Sequence, residues 1–456
     1  MKTKLVLGIS LAAALAGAGL AQTMKVSAEG RSLEVDGKPF FWLGDTAWQL
    51  FHRLNSDEAR AYLDNRRAKG FTVVQAVALA ELGGLTVPNA EGHVALNAKD
   101  PARPNEPYFT HVDWVIDEAN RAGLWVALLP TWGSYWKTGD ARVFDEQNAR
   151  AYGLWLGQRY RSKSVVWVLG GDQNIETEGE RRIIDAMAAG LRSGDGGRHL
   201  ITFHPRGPGR AGEQLADASW LDFYMSQSSH GSRDHDNGIY AERDRLLQPA
   251  KPTLDGEPRY EGITVGFYFS GANRMVRFDD ADVRQAAYWS VLAGACGHTY
   301  GHSSVWQMWQ PGRQPAIGAN VPWREALDHP GAFQMGHLRR LLEARAFHRL
   351  VPDGGRLVVG GPRDGGAKIR AAVARDGQFA LIYSPWGEAF TIDRTPVKGN
   401  RLRELWWDPR IGVAYTAHTG IGGAIQTYTP PTSGRGQDWL LVLENADAAL
   451  PKLPGE

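Results

Sequence analysis

From about Thr23 to Val351 the chain alternates short apolar runs with stretches of helical period. The apolar runs begin at Phe40, Val73, Trp125, Val165, Leu200, Leu221, Pro252 and His298. Helical patterns lie between or after them over 57–69, 111–122, 145–160, 178–193, 280–293 and 330–342, with Gly123 as the stop of the second. An antiparallel pair over 25–28 and 33–35 leads into the first run. Alternation of this kind predicts parallel strands joined by crossover helices. Eight such units over roughly 300 residues predict a (β/α)8 barrel, the TIM-barrel class of α/β fold. A doubly wound sheet is the competitor, and it needs a Gly-rich phosphate loop after its first strand. The segment there, Gly44-Asp45-Thr46-Ala47-Trp48, is not such a loop.

After Asp353 the pattern changes to short alternating runs punctuated by Gly, Pro and Asp, over 357–359, 368–374, 379–383, 390–392, 403–407, 412–415, 424–427 and 439–444. No helical pattern intervenes, so 352–456 reads as an all-β sandwich following a barrel over 22–351.

The first 21 residues stand apart. Lys2 and Lys4 precede an apolar run from Leu5 to Leu20, and Gly19-Leu20-Ala21 offers small residues for cleavage, as in a secretory signal peptide. The run is rich in Ala and Gly, short for a membrane span and without a charged stop behind it. The expectation is a periplasmic or secreted protein with no membrane insertion. The 456 residues carry a formal charge of +1, which the loss of two lysines would make slightly negative. Near-neutrality argues against bulk binding to nucleic acid. One Cys excludes an internal disulfide framework. The 17 Trp are the unusual feature, because an apolar face with a polar N–H suits sugar platforms as well as cores. None falls between Trp323 and Trp386, which supports a boundary near Val351.

In a barrel of this class the chemistry sits at the C-terminal ends of the strands. Those ends supply Asp45 and Trp48, Gln75 and then Glu81, Trp132, Asp172, His204, Gln227 and His230, Glu257, and His302 with Trp306. Asp172 follows the fourth strand and Glu257 the seventh, on opposite sides of the mouth. Paired carboxylates facing each other across an aromatic cleft suit glycoside hydrolysis, one protonated as acid and one ionised. On spacing alone each has a structural alternative: Asp172 as a helix N-cap, Glu257 as a salt-bridge partner of Arg259. Asp45, Gln75, His204, Gln227 and His302 are candidates for hydroxyl contacts, and Trp48, Trp132 and Trp306 for stacking on sugar faces, each with a packing role as its alternative. The run Ser229-His230-Gly231-Ser232-Arg233-Asp234-His235-Asp236 fits no common metal spacing, and no metal or cofactor is expected. Glu261 is a third carboxylate beside the site, and Arg206, Arg210, Arg233, Arg259 and Arg274 fall in loops where an anionic chain could pair with them.

Three segments carry a resemblance. Phe41-Trp42-Leu43-Gly44-Asp45-Thr46-Ala47-Trp48, Val166-Trp167-Val168-Leu169-Gly170-Gly171-Asp172 and Asp255-Gly256-Glu257-Pro258-Arg259-Tyr260-Glu261 resemble the apiosidase-like glycoside hydrolases (glycoside hydrolase family 140, DUF4038). Trp406-Trp407-Asp408-Pro409-Arg410 and Asp438-Trp439-Leu440-Leu441-Val442-Leu443 resemble the collagen-binding-like domain usually fused to them. The resemblance spans nearly the whole chain after residue 21. It implies a retaining two-carboxylate mechanism with Asp172 as acid/base and Glu257 as nucleophile, and a polysaccharide substrate, with apiose linkages of pectic side chains foremost. The wider clan of such barrels carries Asn-Glu where this chain has Gly171-Asp172. The shorter carboxylate must therefore come from a closer backbone, and another residue must make the sugar contact of that Asn. A furanosidase acting on arabinose-type sugars, or a carbohydrate-binding protein without catalysis, are the other readings.

Overall fold

The computed structural model describes residues 22–417 and 423–456, and the leader expected over 1–21 lies outside them. Eight parallel strands form the barrel: β1 (Trp42–Thr46), β2 (Val73–Leu79), β3 (Trp125–Thr131), β4 (Val165–Gly170), β5 (Ile201–His204), β6 (Tyr224–Gln227), β7 (Thr253–Asp255) and β8 (Gly297–Tyr300). They pair in the order β5-β4-β3-β2-β1-β8-β7-β6, and a short strand, Gly209–Arg210, adds antiparallel to β6. The ring closes between β5 and β6 through the Asp222 N–H on the Ile201 carbonyl (2.9 Å) and the Thr202 hydroxyl on the Phe223 carbonyl (2.7 Å). The eight expected strands are present, with one correction. Phe40 belongs to a three-stranded meander, Met24–Val26, Leu33–Val35 and Lys38–Phe40, and β1 begins at Trp42.

Every barrel strand is buried along its whole length, as parallel strands covered on both faces must be. Alternation nevertheless sorts the side chains. Val73 and Val77, Ala127 and Leu129, and Val166 and Val168 fill the interior, while Val74 and Ala76, Val126 and Leu128, and Trp167 and Leu169 meet the outer helices. Met24 and Leu33 of the meander join Trp42 and Trp125 in the interior core and close the end opposite the strand C-termini.

Long helices cover much of the outside: Ser56–Ala68, Glu106–Arg121, Glu146–Tyr160, Glu178–Asp195, Asp280–Leu292 and Pro330–Ala344. Capping boxes set by Asn55, Asp145, Thr177 and Asp279 start four of them. After β5 and β6 only short helices appear, Ala211–Leu215 and Gly238–Asp244, too brief to leave a helical period in the sequence. No described helix is long and apolar enough to cross a membrane.

The C-terminal part has a six-stranded antiparallel sheet, Leu350–Pro352, Arg370–Ala374, Phe379–Ser384, Trp439–Asn445, Leu402–Asp408 and Val413–Thr416 in that order, and a three-stranded one, Val358–Gly360, Phe390–Asp393 and Ile425–Tyr428. Ala371, Val373, Ile382, Leu441 and Trp406 pack toward the small sheet with Phe390 and Tyr428. The opposite face, Ala372, Leu381, Tyr383, Leu440 and Trp407, is continuous with the core of the barrel helices.

Candidate active site

A cleft of about 470 Å³ opens at the C-terminal end of the barrel. Asp172 and Glu257 both line it, with Trp48, Trp132, Trp306 and Gln227 from the expected set.

Asp172 owes its position to backbone. Gly170 (φ +90°), Gly171 (φ +88°) and Asp172 itself (φ +59°) form a left-handed run at the end of β4. A Cβ on Gly170 would sit 2.3 Å from the His204 carbonyl oxygen, and one on Gly171 would sit 2.9 Å from the Gly133 nitrogen. Only glycine lets the chain turn this close to its neighbours. That is the closer backbone the shorter carboxylate requires. Asp172 does not cap a helix: Thr177 caps the helix after β4.

Glu257 is held from several strands. Gln75 Nε2 on β2 donates across the barrel to the Gly256 carbonyl (2.9 Å), and the Ser229 N–H donates to the carbonyl of Glu257 (3.1 Å). His230 Nε2 lies 3.1 Å from Glu257 Oε1, and His204 Nε2 lies 3.1 Å from Oε2, bent from ideal hydrogen-bond geometry. His204 Nδ1 accepts the Asp172 backbone N–H (3.2 Å), so its proton is on Nε2 and faces the carboxylate. One imidazole thus joins the segments carrying both acids. Arg259 does not pair with Glu257; its guanidinium bonds Gln285 Oε1 (2.8 Å) and the carbonyls of Asp282 and His235.

The two carboxyls are pushed in opposite directions. For Asp172, burial and then the charge of Glu257 outweigh His204, Gln227 and Arg206 and raise it to about 6. For Glu257, burial alone would raise it, but hydrogen bonding from His204 and His230 prevails and lowers it to about 2. One acid is a proton donor and the other an anion over the same pH range.

Not every candidate reaches the cleft. Asp45 follows the outward-facing Leu43 in the alternation of β1, and its carboxylate is buried against Tyr62 (2.5 Å) and Arg66 (2.8 Å) of the first long helix. That placement corrects its expected sugar contact. His302 is likewise out of reach, bonded through Nε2 to His329 Nδ1 (3.0 Å) and through Nδ1 to the Ser304 N–H. Gln75 and His204 support the site from beneath. Glu261 faces away as well, taking the Tyr300 hydroxyl (2.6 Å). The 229–236 run is dispersed: His230 goes to Glu257, His235 to Tyr240, and Asp236 to Lys368 and Arg370. Among the described residues no group of three or more His, Cys, Asp or Glu could hold a metal.

The structure adds groups to the cleft that the strand ends did not single out: Arg206, Tyr260, and the aromatic lip Phe267-Tyr268-Phe269 from the long loop after β7. It also brings Glu81 and His230, which the strand ends did name, into the lining of the same cleft. Gln227 Oε1 and Trp306 Nε1 are buried and unpaired within the described residues.

Residues 27–349 match the family model of the apiosidase-like catalytic domain. The chain belongs to the apiosidase-like family. Residues 351–444 match a model named for the collagen-binding domain of a collagenase. A solved glycoside hydrolase is 30% identical, with 93% of this chain and 97% of that one covered and a TM-score of 0.84. A glycoside hydrolase family 5 protein from Bacteroides vulgatus ATCC 8482 is 29% identical, with 94% and 95% covered and a TM-score of 0.84. No match is found among the curated proteins. This apiosidase-like chain is a glycoside hydrolase.

Proposed function

We propose that this apiosidase-like enzyme is a retaining glycosidase in which Glu257 attacks the anomeric carbon and Asp172 protonates the departing oxygen. Asp172 then takes a proton from water, whose oxygen displaces Glu257 and releases the sugar. The observation that carries this reading is the opposed protonation of two carboxyls lining one cleft, about 6 for Asp172 and about 2 for Glu257. Retention and a pectic substrate carrying apiose rest on the family resemblance. Trp48 and Trp132, with ring centroids 5.7 Å apart, supply the apolar wall a sugar ring needs. Arg206, whose guanidinium has no ion-pair partner among the described residues, gives an acidic sugar on the leaving-group side a counter-charge. The signal-like pattern of Lys2, Lys4 and the apolar run from Leu5 to Leu20 supports export as part of this proposal, and the N-terminal sequence of the mature protein tests it.

The test of mechanism is a panel of defined pectic and arabinan oligosaccharides with products followed by NMR. Cleavage with the product first appearing in the substrate's anomeric configuration is expected. Asp172→Asn lowers turnover about a hundredfold to ten-thousandfold, and Glu257→Gln at least as much, both folded. An inverted product overturns retention. Near-normal turnover in either variant overturns its role.

A further inference from the structure

A third carboxyl stands in the cleft, and the two-carboxylate mechanism does not use it. Glu81 follows β2 and lines the same cleft as Trp48 and Trp132. Its backbone is fixed: Gln49 Nε2 donates to its carbonyl (3.0 Å). The next residue, Leu82, has φ +54°, a conformation a branched side chain rarely takes, and Gly83 follows at +95°. A Cβ on Gly84 would sit 2.1 Å from the Ala80 carbonyl oxygen. A tight, strained turn therefore presents Glu81 to the cleft, yet its carboxyl has no hydrogen bond or ion pair with another described residue. Strain kept at a substrate cleft for an unpaired side chain is the mark of a contact made with ligand.

We propose that the Glu81 carboxyl reads a hydroxyl of the sugar held against Trp48 and Trp132, and that it selects a neutral sugar for that position. The inference rests on the glycosidase reading of Asp172 and Glu257 and adds a specificity group to it. Burial, then the charges of Asp172 and Glu257, raise Glu81 to about 8 against the pull of Arg53. Tyr135 beside it, and Tyr260 beside Glu257, are neutral in that range, held up by burial; Arg206 and His230 also line the cleft. Below about pH 8 Glu81 is therefore uncharged, with one O–H to donate and one oxygen to accept, which fits a sugar hydroxyl. Above it, Glu81 becomes an acceptor only and adds a negative charge beside two acids. A sugar carboxylate in this place would meet the charges of Asp172 and Glu257 that already raise Glu81, which disfavours it against a neutral ring.

The test uses the oligosaccharide the wild-type enzyme cleaves, with kcat and KM measured from pH 4 to 9. Glu81→Ala is expected to lower kcat/KM about 10- to 100-fold at pH 6 through loss of the hydrogen bond, with an unchanged melting temperature. Glu81→Gln keeps a neutral donor and acceptor. It should hold kcat/KM within several-fold of wild type at pH 6, and its ratio to wild type should climb above pH 8. Wild-type kcat/KM in Glu81→Ala overturns the proposal. So does a Glu81→Gln variant as impaired as Glu81→Ala with a pH-independent ratio. Either failure is distinct from failure of the mechanism: if Asp172→Asn and Glu257→Gln abolish cleavage while Glu81→Ala does not, only the reading of Glu81 falls.

Discussion

At the scale of single residues, the two histidines on Glu257 set its chemistry. Asp172 is raised, so its protonated, acid form is present below about pH 6 and lost above it. Glu257 is lowered, so its carboxylate persists down to about pH 2. The pH profile of kcat/KM should therefore plateau between these values and fall above about 6. His230→Ala removes one of the two groups holding Glu257 down, so its acid limb should rise toward the ordinary carboxylate range, with kcat/KM lower. An unmoved acid limb in that variant would show that His204 alone sets the value. The types of Asp172 and Glu257 were legible in the sequence because strand ends in a barrel converge. The fate of Asp45 was less so. The parity of β1 sends every second residue outward, and Asp45 lies beside Leu43 and Tyr62 in the layer outside the barrel interior. Because β1 is buried on both faces, its polarity pattern does not show which residues point inward.

At the scale of elements, the end of β4 decides where the acid sits. Three successive left-handed residues turn the chain beneath His204 and Gly133, and Gly133 donates to the Gly171 carbonyl (3.0 Å). Gly171→Ala puts a Cβ into a conformation costing about 1–2 kcal/mol and against the Gly133 nitrogen. The variant should melt a few degrees lower and, with Asp172 as the proposed acid, lose at least about tenfold in kcat, since misplacing such a group by an ångström costs more than the strain does. A normal kcat would mean the turn is not what aims Asp172. Long helices were legible through period, and the structure adds what starts them: Thr177 with Glu180, and Asp279 with Asp282, each close a capping box. The short helices after β5 and β6 were not, because one or two turns leave too few positions to show a period.

At the scale of the molecule, the barrel and the β-sandwich share a core. The Asp280–Leu292 helix is buried along nearly all its length against the six-stranded sheet. Tyr288 stacks on Tyr383 at 4.7 Å and accepts the Trp407 indole N–H (3.0 Å). Arg284 is paired with Asp438 at 2.6 Å, with side chains 1% and 2% exposed. Asp438→Ala would leave a buried guanidinium with Asp280 as its one counter-ion among the described residues, and the expected loss is about 3–5 kcal/mol in chemical denaturation. A loss under about 1 kcal/mol would mean Asp280 suffices. Removing residues 352–456 exposes Tyr288, Trp289 and the rest of that face, so the truncated barrel should be insoluble, whatever the sandwich itself binds. A soluble, active truncation would assign the sandwich a role apart from support.

The sequence by itself determined the barrel and the β-rich C-terminal part, and it named Asp172 and Glu257 among the strand ends, because period, strand count and strand ends are local or additive properties of the chain. Only the tertiary structure decided which neighbours those acids meet. The split between Asp172 and Glu257, the turning away of Asp45 and His302, and the unpaired Glu81 all depend on which side chains from distant segments come within hydrogen-bond reach. Burial and charge act through space, and the order of residues along the chain does not report those distances.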